Sequence, residues 1–249
     1  MTQRPPIPPN FDRIARAYRW LEYASLGPVL EHLRLHHLGS LNHLLSRSAK
    51  ALILGDGDGR FSAHLLAANL TLQADAVDLS RTMLNLLRTR TAAASERIRL
   101  HHQDALDYVA TMSPVAHYDL IVAHFFLDCL TQPQVEQLVD SVSSAIKPRA
   151  LWLVSEFRIP AGILRWPARL YVRALYFAFR LLTGLRTTHL PDYAAALHQA
   201  GWRTVATHHA LRGLLTTDLW QKSEPALLTQ DPIPNPEPSH TPYVSRLPS

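Results

Sequence analysis

Short apolar runs alternate with stretches whose apolar residues recur every three to four positions, the signature of strands alternating with helices. Asn10 can cap a first helix through about Ala24, with Phe11, Ile14, Tyr18 and Leu21 on one face. Gly27-Pro28 breaks it, and a second helix carrying Leu30, Leu33, Leu41 and Leu44 runs to about Leu45. Ala51 to Leu54 reads as a strand, followed by a helix with Phe61, Leu65 and Leu66 inward. Leu72 to Asp78, Ile98 to His101, Tyr118 to Ala123 and Leu151 to Glu156 are further strands. Between them fall a helix capped by Ser80 and one from Thr131-Gln-Pro133 to about Ile146, closed by Lys147-Pro148. Leu190-Pro191-Asp192-Tyr193 starts a helix that ends at Gly201-Trp202, and strands follow over about Thr204 to His208 and Leu211 to Lys222. This order predicts an α/β doubly wound fold.

The ends and one internal stretch depart from the pattern. Residues 1–9 hold four prolines and read as an unstructured arm, and 223–249 as a disordered Pro-rich tail. The domain is expected over 10–222, with N-terminal helices over 10–46 and a helical insertion over 157–189. Within the insertion Pro167 opens a helix to about Leu182. Its Arg169, Arg173 and Arg180 share a stripe about 40° wide at 100° per residue. Trp166, Leu170, Tyr171, Phe177, Phe179 and Leu181 flank them. Such a segment can roof an apolar substrate pocket, or touch an anionic membrane peripherally through 165–186.

Three glycines, Gly55, Gly57 and Gly59, join the first strand to its helix. Glycine permits positive φ and close approach of a ligand to the main chain, and the helix start offers free N–H groups. The dinucleotide spacing Gly-x-Gly-x-x-Gly fails in both frames, because Arg60 and Ser62 occupy the third glycine's place. The spacing Gly-x-Gly-x-Gly resembles instead the first motif of class I S-adenosylmethionine-dependent methyltransferases. Asp56 and Asp58 inside the loop would repel a pyrophosphate but suit a ligand with a cationic ammonium and sulfonium.

An acid at the tip of the second strand of a doubly wound sheet lies beside a ribose. Asp78 stands there, and Asp-Leu79-Ser-x-x-Met83-Leu resembles the second motif of the same family. Asp75 competes but lies inside the strand. At the third strand end Asp104, followed by Ala105, matches the acid that the family places beside the adenine, while Asp107 reads as an exposed helix residue. His124 closes the fourth strand, where the family faces the reacting methyl. It is the candidate general base or substrate-orienting group, since a histidine pKa can lie near 7; the bland alternative is a histidine holding a backbone carbonyl. Asp128 is expected to stay solvated or cap a turn.

The resemblance extends over roughly residues 11–222. Phe11-Asp-Arg-Ile-Ala-Arg-Ala-Tyr18 is similar to the lead-in of the ubiquinone/menaquinone-biosynthesis type, which closes over the cofactor and would bring Tyr18 to it. Ala-Gly-Trp202 and the strands after it resemble the family's C-terminal antiparallel hairpin. The resemblance thus implies a Rossmann-like, seven-stranded, mostly parallel sheet ending in that hairpin. It also implies S-adenosylmethionine as cofactor and methyl transfer to an oxygen, carbon or nitrogen of a small lipophilic molecule. Two departures stand out. Arg149 and Ala150 replace the glycines of a Leu-Lys-Pro-Gly-Gly turn, and Ile53 replaces the acid two residues before the first glycine, which helps hold the cofactor's methionine end. Asp56 or Asp58 could take over that charge. Otherwise a non-catalytic, methyltransferase-like scaffold becomes the alternative, with an NAD-dependent oxidoreductase behind it.

Composition narrows the classes further. The chain has 249 residues, a net charge of +5 and one cysteine, Cys129, so no intramolecular disulfide is open to it. A cytoplasmic protein, touching a membrane at most peripherally, is expected, and the pattern sets no oligomeric state. Among fourteen histidines the pairs His36-His37, His101-His102 and His208-His209 diverge on either kind of element, so no metal is expected. There is no nucleophile elbow, Cys129 has no evident base partner, and no nucleic-acid code is present, so no nucleic-acid partner is expected.

Overall fold

A computed structural model describes residues 26–46, 48–112, 118–183 and 190–223. The arm, the first helix with Tyr18, and the tail beyond Ser223 lie outside the described residues, as do the side chains of Phe177, Phe179, Arg180 and Leu181. Helices α1 (Gly27–Leu35) and α2 (Leu38–Leu44) precede β1 (Lys50–Leu54) and α3 (Arg60–Ala68). Then come β2 (Gln73–Asp78), α4 (Arg81–Arg90), β3 (Ile98–His102), α5 (Ala105–Ala110) and β4 (Tyr118–His124). The chain continues through α6 (Gln132–Ser144), β5 (Ile146–Phe157), α7 (Arg165–Thr183), α8 (Tyr193–Gln199), β6 (Trp202–Ala210) and β7 (Leu215–Lys222).

The seven strands form one sheet in the order β3-β2-β1-β4-β5-β7-β6. The first five are parallel to their neighbours, and β7 pairs antiparallel with both β5 and β6. This is the expected mostly parallel sheet with a closing hairpin. Both faces of β1 are covered, which is why its apolar run is continuous rather than alternating. Leu52 and Leu54 join Val135, Leu138, Val139 and Val142 of α6 on one face. Ala51 and Ile53 join Leu41, Phe61, Leu65 and Leu87 on the other.

Several boundaries differ from expectation. The helix read to Leu45 is two helices, with His37 at φ −91°, ψ 3° between them. His37 is buried there, its Nε2 3.3 Å from the Thr217 carbonyl oxygen. Lys147-Pro148 does not close a helix: α6 stops at Ser144 and β5 starts at Ile146. Proline is tolerated because the β4–β5 register shifts between Tyr118 and Leu120, and Lys147 Nζ reaches Asp119 at 2.7 Å. Leu211, Arg212 and Gly213, at φ 49°, 56° and 89°, turn the chain before β7, so that strand begins at Leu215 rather than Leu211. Helix α7 starts at Arg165, two residues before Pro167.

Gly59 fixes how closely two helices meet. At φ +80° it precedes α3, and a Cβ there would lie 2.6 Å from Leu87 Cγ and 2.7 Å from Leu87 Cα on α4. Gly57, at φ +59°, has no described atom within 4 Å of a Cβ. Gly57→Ala should therefore lose only the cost of the left-handed backbone, about 1–2 kcal/mol. Gly59→Ala adds a clash with backbone and should lose at least about 2 kcal/mol more. Urea unfolding of both variants checks this, and equal losses would contradict the close α3–α4 contact.

Candidate active site

Sheet order sets β3, β2, β1 and β4 side by side with their C-terminal ends along one edge. Asp104, Asp78, the glycine loop and His124 are therefore brought together from four separate stretches of chain. Main-chain bonds tie the ends: Gly55 N donates to Val77 O at 3.0 Å, and Gln103 N to Asp78 O at 3.3 Å. Asp78 Oδ1 accepts from Ser80 N at 2.7 Å, and Ser80 Oγ caps α4 by accepting from Met83 N at 3.2 Å. Asp104 caps α5, its Oδ1 accepting from Leu106 N at 2.8 Å. Leu79 and Asp104 are half-buried, while Met83 and Ala105 are buried. Asp107 is exposed, as expected. Tyr18 lies outside the described residues.

The competing acid, Asp75, belongs to the interior. It is 2 % exposed and bonds Lys50 Nζ at 2.7 Å, His101 Nε2 at 3.0 Å and the Tyr118 hydroxyl at 2.8 Å. Burial alone would raise its pKa, but these bonds hold it below the ordinary carboxylate value.

The loop glycines take φ of +64°, +59° and +80°, as a tight turn under a ligand requires. Gly57 presents main chain with no described side chain over it, whereas a Cβ on Gly55 would meet Phe126 at 2.6 Å. The acids in the loop are already engaged. Asp56 Oδ2 accepts from Ser62 N at 2.9 Å and Ser62 Oγ at 2.6 Å. Asp58 Oδ2 accepts from Arg60 Nε at 3.2 Å and Arg90 NH2 at 2.9 Å. Ile53 is fully buried. Neither loop acid is thus a simple substitute for the carboxylate missing there.

His124 is not the near-neutral group that its residue type suggested. It is 3 % exposed, with its ring 4.5 Å from that of Phe61. Burial pushes its pKa well down, and the positive Arg34 nearby adds to this. Ser155 Oγ donates to Thr217 Oγ1 at 2.9 Å, so its lone pair faces His124 Nδ1 at 2.8 Å. Nδ1 then carries the proton, and Nε2 is a buried acceptor with no partner among the described residues.

Sequence reading missed the neighbouring acid, Glu156. Its signal was a carboxylate at the end of an otherwise apolar strand. Glu156 Oε1 accepts from the backbone amides of Phe126, Leu127 and Asp128 at 3.0, 2.7 and 3.4 Å. Its Oε2 is buried without a partner among the described residues. Burial, and then the charge of Asp128, push the Glu156 carboxyl well up. Burial also raises the Asp128 pKa to about 6; of the two expectations for this half-buried residue, the turn cap holds, since its carboxylate accepts backbone amides including that of Cys129. Cys129 Sγ lies 3.5 Å from Asp128 Oδ1. Burial, Asp128, Glu156 and Asp78 together hold that thiol protonated, so it is no nucleophile. Asp128 and Glu156 thus meet where β4 and β5 end, on the same sheet edge as Asp78. A bare glycine turn beside three acids and an unsatisfied buried carboxylate oxygen fits a nucleoside carrying a cationic sulfonium and ammonium.

The comparisons agree with this fold. The family profile described as a methyltransferase domain matches residues 52–151. Profile and sheet together give the chain the fold of the class I methyltransferases, with the methyltransferase-domain match confined to residues 52–151. No curated protein matches significantly. Among solved structures, the S-adenosylmethionine-dependent methyltransferase SibL in its apo form is similar at 19% identity and a TM-score of 0.60, over 89% of this chain and 64% of that one. The mitomycin 7-O-methyltransferase MmcR follows at 17% identity and 0.54, over 82% and 60%. An O-methyltransferase family 2 protein from Planctomyces limnophilus in complex with apigenin is similar at 18% and 0.57, over 84% and 61%. The chain spans about three fifths of the length of these relatives.

Burial raises the Asp56 pKa from 3.8 to about 6. The folded state therefore holds the Asp56 proton more tightly than the unfolded chain does. Its contribution to stability is complete below about pH 4 and is lost as pH rises to about 6, a loss of up to about 3 kcal/mol. Asp56→Asn keeps an oxygen for Ser62 but does not ionise. Its unfolding free energy should fall less between pH 4 and 6.5 than that of the wild type. Parallel curves in denaturant titrations would contradict the burial of this charge.

Proposed function

We propose that the chain transfers a methyl group from S-adenosylmethionine to a small lipophilic acceptor, with oxygen as the preferred accepting atom. The carrying observation is the convergence of the glycine loop, Asp78 and Asp104 on one sheet edge beside buried acids. Two of the similar structures are O-methyltransferases by title, one of them holding the flavone apigenin, which favours oxygen and an aromatic acceptor.

In this reading the glycine loop and the start of α3 hold the methionine end, Asp78 the ribose hydroxyls, and Asp104 and Ala105 the adenine, with Leu79 and Met83 beside it. When bound, the cofactor supplies a methyl on a positively charged sulfur, open to in-line displacement. The protein contributes position and dryness. Phe126 covers Gly55, and α7 roofs the ends of β4 and β5, its buried Val172 packing with Cys129, Phe157, Ile159, Leu190 and Leu214. His124, held neutral, orients the acceptor rather than taking its proton. Asp128, partly accessible and raised by burial, is the better proton acceptor.

A non-catalytic scaffold is the second reading, favoured by the buried Ile53 and by the engagement of Asp56 and Asp58 within the loop. The two readings separate in a transfer assay with methyl-labelled donor and a panel of phenols, hydroquinones and amines. Label should move to a phenolic acceptor. Asp78→Ala should raise the donor KM at least about tenfold, the loss of hydrogen bonds to a charged group. Asp128→Asn should lower kcat while leaving donor KM within about twofold. Unchanged donor affinity in Asp78→Ala would remove that residue from the site.

A further inference from the structure

Nine large hydrophobic side chains are exposed among the described residues, and five of them fall within nine consecutive positions. Ile163, Trp166 and Leu170 are 95, 75 and 71 % exposed, and Leu164 and Tyr171 more than a third. Scattered exposed apolar residues need no explanation, but a contiguous group marks a contact surface. Among the described side chains of α7 only Ala168 and Val172 are buried, a narrow stripe that faces the protein. At 100° per residue, Trp166 and Leu170 lie roughly 160° from that stripe, pointing away from the body. Arg165, Arg169 and Arg173 occupy the sector between.

The charge beside this ridge is one-sided. Arg158, Arg165, Arg169 and His209 line a surface cleft of about 530 Å³ with Pro160 and Gly213. Among the described residues no carboxylate lies within ion-pair distance of any of the three arginines. Arg169 stacks over the Trp166 ring at 5.9 Å, keeping the cation beside the apolar ridge. Among the described residues no helix is long and apolar enough to cross a membrane. An apolar ridge flanked by arginines that have no carboxylate partner among the described residues suits a surface that is both greasy and negative.

We propose that this face docks on an anionic phospholipid membrane, with Ile163, Trp166 and Leu170 entering the headgroup–acyl boundary and Arg165, Arg169 and Arg173 meeting lipid phosphates. The arginine stems lie along the ridge while their guanidinium groups reach the headgroups. A nucleic acid would satisfy the arginines but offers no apolar phase to three side chains this exposed. The described part of the expected 165–186 contact is thus extended N-terminally to Ile163, and through the cleft to Arg158. The inner face of the same helix roofs the proposed site, so a lipophilic acceptor could pass to it directly from the bilayer.

Co-sedimentation of the full chain with vesicles tests this without any methyl donor, so failure here leaves the reading of the cofactor site untouched. Vesicles of phosphatidylcholine with phosphatidylglycerol should bind the protein at least about tenfold better than phosphatidylcholine alone, and raised salt should weaken the binding. Each arginine replaced by glutamate should cost about fivefold or more, and Trp166→Ser with Leu170→Ser about tenfold or more. All five side chains are exposed, and melting curves should show the variants folded. Quenching of Trp166 fluorescence by brominated lipid, absent in Trp166→Phe, should place that ring in the bilayer. Equal binding to neutral and anionic vesicles, or none to either, would overturn the proposal. So would binding to single-stranded DNA, or a dimer broken by the serine variants, without vesicle binding.

Discussion

A parallel strand covered on both faces can show polar groups only at its ends, and that constraint governs this protein. Residues 51–54 are fully buried, so Ile53 cannot serve a ligand, and the chemistry begins at Gly55. The same holds for β2 and β4, whose polar residues of interest, Asp78 and His124, are terminal. Right-handed crossovers then bring all C-terminal ends to one edge. The edge inherits free amides from helix starts and a glycine turn that lets a ligand approach the main chain.

Where β4 and β5 end, buried polar groups replace apolar packing. Glu156 gathers three successive amides and so shapes the turn over residues 126–128, with one carboxylate oxygen still unpaired. Behind it, His124, Ser155 and Thr217 form a chain across three strands, and His37 reaches the same Thr217 from the neck between α1 and α2. The N-terminal helices are thereby coupled to the strand ends. Buried polar groups of this kind specify one arrangement, because every alternative leaves a donor or acceptor unmet.

Much of this was legible in the sequence. The alternation of runs and helical periods gave the order of elements, and the terminal position of Gly55, Asp78, Asp104 and His124 followed, because strand ends are local features marked by turn residues. What was hidden depends on contacts distant in sequence. Nothing near Asp58 announces Arg90, 32 residues on, and nothing near His124 announces its burial against Phe61 and Ser155. Lys147-Pro148 read as a stop because the bulge that admits proline, where residues 146–151 of β5 face only 118–120 of β4, arises from pairing with a distant strand. The face of α7 that stays bare is likewise set by which residues the body covers, so its periodicity alone could not choose between lid and membrane contact.

Calorimetric titration of the purified chain with S-adenosylmethionine, S-adenosylhomocysteine and NAD tests the central claim most directly, since it asks what the strand-end edge holds. Binding of the first two, without NAD, is the predicted result. Binding of NAD alone, or of none of the three, would contradict it, and the latter would make the partner-binding scaffold the better description.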